Sequence, residues 1–325
     1  MSRRLIRKSL ILLCAISIAV YVGLSVAGGV LLMENALHAP RFPLTEHATV
    51  KVSMGKFGTS RAEDVSVAGA DGALLKGWYE QPRNWNGDAV ILLHGVGDNR
   101  EGVTGYAPIF LNAGYAVLLP DSRAQGQSGG QFVTYGLLES QDLRHWAEWL
   151  NGRQRSSLVK AAAGCIDLFG ESMGAAIALQ ATATTPGVCA VVAEAPFASF
   201  REIGYERIAQ GTGLNVSTVR VIARPMVEIA FLEARLSHGL DFDKASPEQA
   251  LAGSHVPSLL IAGLADQNIP PRHAREIVMV AGSPVKLWEV PGAGHTAAMS
   301  VDPVEFQRRV VGWFAAHSHT IVHAA

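Results

Sequence analysis

Short apolar runs alternate with amphipathic stretches through most of this chain. Residues 88–93, 115–120, 166–169, 188–193 and 258–262 are runs rich in Val, Ile, Leu and Ala, and 285–290 is a more polar one. Runs of this length, bounded by Gly, Pro and Asp, read as buried strands. Between them, 100–113, 137–150, 272–281 and 303–317 carry apolar residues at helical spacing. In 137–150 these are Leu138, Leu143, Trp146 and Leu150. Strands alternating with helices predict a mainly parallel sheet covered on both faces. Two earlier segments, 65–67 and 74–79, flank Ala70, Asp71 and Gly72, a hairpin signal that brings the expected strands to eight. From about 197 to 253 the alternation breaks. Residues 218–238 read as helical, with Pro225 starting a second segment. This stretch is expected to be an inserted helical cap.

The first 48 residues follow a different pattern. Arg3, Arg4, Arg7 and Lys8 precede an uncharged run at 10–33, and Glu34 is the first charge after it. As a helix that run is about 36 Å long, enough to cross a bilayer. With cations on one side only, residues 1–9 are expected in the cytoplasm and everything after the span outside it. A secretory signal is the rival reading, because Ser25 and Ala27 form a small-x-small cleavage pattern. The length of the run favours an uncleaved anchor. A linker with Pro40 and Pro43 follows at 34–48, then a catalytic domain at 49–318 and a short tail at 319–325.

Composition narrows the function classes. The 325 residues are 49% hydrophobic, enough for one large α/β domain with a full core. Net charge is −1, and four of the 27 cations lie in the first eight residues, so the body of the chain is mildly acidic. That argues against a nucleic acid partner. Cys14, Cys165 and Cys189 lack metal-ligand spacing. Cys165 and Cys189 start neighbouring strands, and two buried thiols are expected there rather than a disulfide.

The candidate chemistry centres on Gly170-Glu171-Ser172-Met173-Gly174. A strand precedes this pentapeptide and a small-residue helix follows it, the context in which G-x-S-x-G lifts a serine above the end of a sheet. Serine is a poor nucleophile at neutral pH and needs a base, which in turn needs an orienting acid. The loop after 258–262 offers Asp266, and the loop after 285–290 offers His295. The order Ser, Asp, His is that of α/β-hydrolases. The backbone N–H of Met173, the residue after the serine, is the expected first oxyanion donor.

With these residues in place, the chain resembles the serine hydrolases of the α/β-hydrolase superfamily. It is most similar to the membrane-anchored α/β-hydrolase-domain-containing proteins with a single N-terminal helix. The resemblance covers about 65–314. It rests on His94-Gly95, the stretches 121–128 and 135–142, Gly170 to Gly174, Gly263 to Asp266 and Gly294-His295. It implies an α/β-hydrolase fold, a mostly parallel eight-stranded sheet with helices on both faces and a small helical cap. It also implies that Ser172 attacks an acyl carbonyl, that His295 moves the proton, and that Asp266 holds the tautomer of His295. Val96 N–H is then the second oxyanion donor. One departure is that Gln125 stands where relatives carry His, which bears on the rim of the pocket.

The expected activity is cleavage of carboxylic esters or thioesters of a hydrophobic, lipid-like acyl substrate through an acyl-enzyme, with no metal and no organic cofactor. A peptidase or amidase and a non-catalytic membrane scaffold are the alternatives. Glu194 is the rival acid, otherwise an ion-pair partner of Arg201 or Arg123. His94 is expected to orient its own loop, and Asp121, Arg123 and Ser128 to fix a turn. The cap residues Val221, Ile222, Met226, Ile229, Phe231 and Leu232 either cradle an acyl chain or form the cap's own core.

Overall fold

The computed structural model describes residues 3–45, 62–156, 164–282 and 284–318. The expected tail at 319–325 and the junction near residue 48 lie outside the described residues. The chain divides into two compact units. One comprises Met1–Leu37 with Arg201–Asp243, the other His38–Phe200 with Lys244–Ala325.

The larger unit is built on an eight-stranded sheet: β1 (Glu63–Ala68), β2 (Leu74–Glu80), β3 (Ala89–Leu93), β4 (Ala116–Pro120), β5 (Ile166–Glu171), β6 (Val188–Glu194), β7 (Ser258–Gly263) and β8 (Val285–Val290). The strand order is β1-β2-β4-β3-β5-β6-β7-β8. β1 and β2 pair antiparallel, as do β2 and β4, and every later pairing is parallel. The sheet is therefore mixed at one edge and parallel through its centre. At the hairpin, Gly72 takes a positive φ and Asp71 accepts the N–H of Ala73.

The uniform apolar character of the central strands follows from their two buried faces. Ile91, Leu118, Leu168 and Leu260 belong to one core. Val90, Leu92, Val117, Phe169 and Ile261 belong to the other. The helices of this unit are α2 (Ala107–Asn112), α3 (Glu139–Ser156), α4 (Met173–Thr184), α8 (Pro247–Ala252), α9 (Arg272–Val280), α10 (Ala298–Val301) and α11 (Pro303–His317).

Two expectations about this unit are corrected. The helix expected over 100–113 forms only from Ala107, since Gly102 and Gly105 interrupt the preceding turns. There the backbone N–H of Arg100 bonds to Asp121 instead of continuing a helix. Cys165 and Cys189 form a disulfide rather than two thiols. Parallel pairing sets Ile166 opposite Val188, which brings the two cysteine Cα atoms to 5.7 Å, within bonding range.

The smaller unit joins α1 (Arg3–Leu37) to α6 (Val216–Ile222), α7 (Arg224–His238) and most of α5 (Phe200–Thr212). The break between α6 and α7 comes at Ala223, ahead of Pro225. α1 is the one described helix long and apolar enough to cross a membrane. Its first part is exposed, whereas Ser25, Gly29, Met33 and Leu37 are buried at four-residue spacing. Gly28 and Gly29 lie so close to α7 that a Cβ on either would collide with Met226, and one on Gly29 also with Ile229. Met226 and Ile229 are thus committed to packing on α1. Phe231 is buried under the guanidinium of Arg201, while Val221, Ile222 and Leu232 are exposed.

Candidate active site

Glycine makes the turn between β5 and α4 buildable. A Cβ at Gly170 would stand 2.3 Å from the carbonyl oxygen of Gly174, and one at Gly174 would stand 2.2 Å from that of Leu93. Ser172 sits at the tip with φ 54° and ψ −118°. That left-handed conformation costs about 1–3 kcal/mol in a non-glycine residue. Its N–H donates to the carbonyl of Glu194 at 2.8 Å, anchoring the turn to the neighbouring strand.

The three residues singled out in separate loops come together. Nε2 of His295 lies 3.0 Å from Oγ of Ser172, and Nδ1 lies 2.8 Å from Oδ2 of Asp266. The Asp266 side chain is buried, whereas that of His295 is partly open. Oδ1 of Asp266 accepts the N–H groups of Asn268 and Ile269, leaving Oδ2 for the imidazole. A carboxylate only accepts, so Nδ1 carries the proton and Nε2 faces the serine hydroxyl as an acceptor. This arrangement can withdraw the hydroxyl proton as Oγ bonds to an electrophilic carbon.

Met173 begins α4 directly after Ser172, so its N–H is free of intrahelical bonding. Val96 follows Gly95 in the loop after β3. A Cβ at Gly95 would lie 3.5 Å from Cβ and 3.8 Å from Oγ of Ser172, so this backbone passes beside the nucleophile.

The loop is held from behind. His94 is fully buried; its Nε2 accepts the N–H of Ser122 and its Nδ1 donates to the carbonyl of Gly95. Burial lowers its pKa, which keeps it neutral in this role. Gln125 is also buried, and its Oε1 accepts the N–H of Gly97 at 2.7 Å. Asp121 accepts from Arg100 and Gln127, and Ser128 donates to the carbonyl of Asp121. Arg123 pairs with Asp142 and Asp71. These residues shape loops, as the sequence suggests.

Among the described residues, Glu194 pairs with neither Arg201 nor Arg123. Its Oε1 accepts the N–H of Ala298 at 2.9 Å, and its Oε2 lies 3.4 Å from the hydroxyl of Tyr106. Arg201 instead pairs with Glu228 and Asp243. Tyr106 donates to Oε2 of Glu171 at 2.8 Å. Burial raises the pKa of both Glu171 and Glu194 to about 7. Sequence reasoning missed Tyr106 and the part played by Glu171. A carboxylate directly before the serine, at the end of an apolar strand, was the available signal.

Elsewhere among the described residues, Glu34, Glu233 and His238 bring potential ligand atoms within 4.8 Å of one another. They belong to the α1 unit, where Nε2 of His238 is 3.0 Å from Glu34 and 3.4 Å from Glu233.

Residues 90–309 match the model of the Alpha/beta hydrolase family. The uncharacterised protein Rv2307c of Mycobacterium tuberculosis is 30% identical over 233 residues, 71% of this chain and 72% of its own. The uncharacterised protein YqkD of Bacillus subtilis is 27% identical over 247 residues, 75% and 76% of the two chains. Among solved structures, the Pyrococcus furiosus esterase Pf2001 superposes with a TM-score of 0.66 at 24% identity, covering 87% of this chain and 98% of that one. The hypothetical protein PA2218 of Pseudomonas aeruginosa gives 0.58 at 19% identity, covering 85% and 99%. The chain belongs to the alpha/beta hydrolase family, and its eight-stranded, mostly parallel sheet with its helices is that fold.

Proposed function

We propose that the protein is a membrane-anchored serine hydrolase that cleaves carboxylic esters or thioesters through an acyl-enzyme. The observation carrying this reading is the hydrogen-bonded series Ser172, His295, Asp266 at the tip of a strained turn. Oγ of Ser172 bonds to the acyl carbon while Nε2 of His295 takes its proton. The carbonyl electrons move to oxygen, which the N–H groups of Met173 and Val96 receive. Each such donor contributes about 3–4 kcal/mol to lowering the barrier. Collapse expels the alcohol or thiol, which takes the proton from His295. Water then attacks the acyl-serine by the same route in reverse, regenerating the hydroxyl and releasing the acid.

Two observations support an extracytoplasmic catalytic unit held by an uncleaved helix. Disulfides such as Cys165–Cys189 persist in oxidising compartments. Cleavage after Ala27 would remove Ser25 from the buried stripe of α1, and with it Tyr21, whose hydroxyl donates to the carbonyl of Ile222. The apolar helix and the exposed Val221, Ile222, Leu232 and Leu236 of the same unit favour hydrophobic acyl substrates. Medium-chain esters are therefore expected to turn over faster than acetyl esters.

Labelling with a fluorophosphonate probe tests the reading. The wild type should be labelled and Ser172→Ala should not. Labelling that persists in the variant, or a folded wild type that stays unlabelled, overturns it.

A further inference from the structure

One residue outside the Ser172–His295 pair reaches the peptide of the serine and the segment that follows the histidine. Glu194 ends β6, and its main-chain carbonyl accepts the N–H of Ser172 at 2.8 Å. Its side chain turns to the other loop, where Oε1 accepts the N–H of Ala298, three residues after His295, at 2.9 Å. One residue therefore holds the peptide of the nucleophile and the loop carrying its base. The residue after it, Ala195, has φ 53°, and its N–H donates to the carbonyl of Ile261 on β7. A non-glycine residue in that conformation is strained, and here it stands directly beside Glu194.

The second carboxylate oxygen faces Tyr106. The hydroxyl of Tyr106 has one proton, and it lies 2.8 Å from Glu171 and 3.4 Å from Glu194. Its ring packs on Phe169 and Phe306 with centroids at 4.5 and 5.8 Å, so the hydroxyl is held in place. Glu171 is the residue immediately before Ser172. The elbow, β6 and the segment after the histidine are thus joined by a chain that is buried except at its half-buried end, Glu171: Glu171, Tyr106, Glu194, Ala298.

We infer that Glu194 is a positioning residue for the proposed triad, fixing His295 over Ser172 by clamping both loops, with Tyr106 joining it to Glu171. A misplacement of about 1 Å between base and nucleophile can cost a hundredfold in rate. The groups facing Glu194 are Tyr106, the Ala298 N–H and the Asp266 carboxylate. Those facing Glu171 are Tyr106, Glu194, Asp98 and His295. Negative charge on Glu171 favours the imidazolium that forms on His295, so the proton shared in this chain affects the rate as well as the geometry. Burial raises the pKa of each glutamate to about 7, so both change charge in the neutral range.

The inference rests on the triad reading, and the test separates the two. Ser172→Ala, Glu194→Ala, Glu194→Gln and Tyr106→Phe are compared on one soluble ester, with thermal unfolding of each. If Ser172→Ala keeps full turnover, the triad reading fails. If it abolishes turnover, the remaining variants decide the role of Glu194. Glu194→Ala should lower kcat roughly tenfold to a hundredfold with KM unchanged, since only the reacting geometry is lost. Glu194→Gln keeps an acceptor for Ala298 and should restore most of kcat, with an acid limb of the pH profile governed by fewer groups. Tyr106→Phe should fold like the wild type and move that limb to higher pH, because Glu171 loses its donor. Wild-type kcat in Glu194→Ala, or Glu194→Gln as slow as Glu194→Ala, overturns the inference.

Discussion

Oε1 of Gln125 accepts the N–H of Gly97 at 2.7 Å, so a side chain from the loop after β4 holds the loop that carries Val96. The amide does the bracing here with its oxygen, and its Nε2 reaches the carbonyl of Pro40 at 3.4 Å. Gln125→Leu removes the acceptor and should cost about 1 kcal/mol of stability. In an ester assay its kcat should fall while KM holds, if Val96 supplies the proposed donor, which acts mainly in the transition state. An unchanged kcat would remove Gln125 from the support of the site.

Asp266 should be the acid that orients His295. Asp266→Asn keeps the shape of the residue and should lower kcat by about 10⁴-fold, since an amide no longer enforces the proton on Nδ1. The same substitution with little loss would remove Asp266 from that role.

The Cys165–Cys189 bridge closes a loop with a sequence separation of 24 residues. Chain-entropy reasoning gives it about 3 kcal/mol of stability. Replacing both cysteines with Ala should lower the denaturant midpoint accordingly. Alkylation of unreduced, unfolded protein should modify Cys14 alone, which is the free cysteine.

Asp167 lies on β5, fully buried, and burial together with nearby Asp88 raises its pKa well above the usual carboxylate value. The folded state therefore holds its proton more tightly than the unfolded chain. Between the unfolded pKa and the raised folded one, stability falls as pH rises. Asp167→Asn removes that ionisation, so its Tm should exceed that of the wild type at pH 8 and the gap should close toward pH 4. A gap that is constant with pH would show that Asp167 does not titrate in this range.

Much of this was legible in the chain because it depends on local pattern. Runs such as 88–93 and 258–262 announce strands buried on both faces, since a two-sided sheet leaves no polar side to record. The serine pentapeptide carries its own turn, because only glycine fits at 170 and 174. Asp266 and His295 follow from chain order and from lying just past strand ends. Tertiary structure decided what depends on distance between segments. Two cysteines expected at the starts of neighbouring strands read as buried thiols, and only the pairing of β5 with β6 brings them within bonding range. Met226 and Ile229 read equally as an acyl cradle or as cap core, and packing on Gly28 and Gly29 of α1 commits them to the helix. Glu194 shows the limit best. A buried carboxylate at a strand end is compatible with acid, ion pair or brace, and only its neighbours choose among them: an N–H from Ala298 and the hydroxyl of Tyr106.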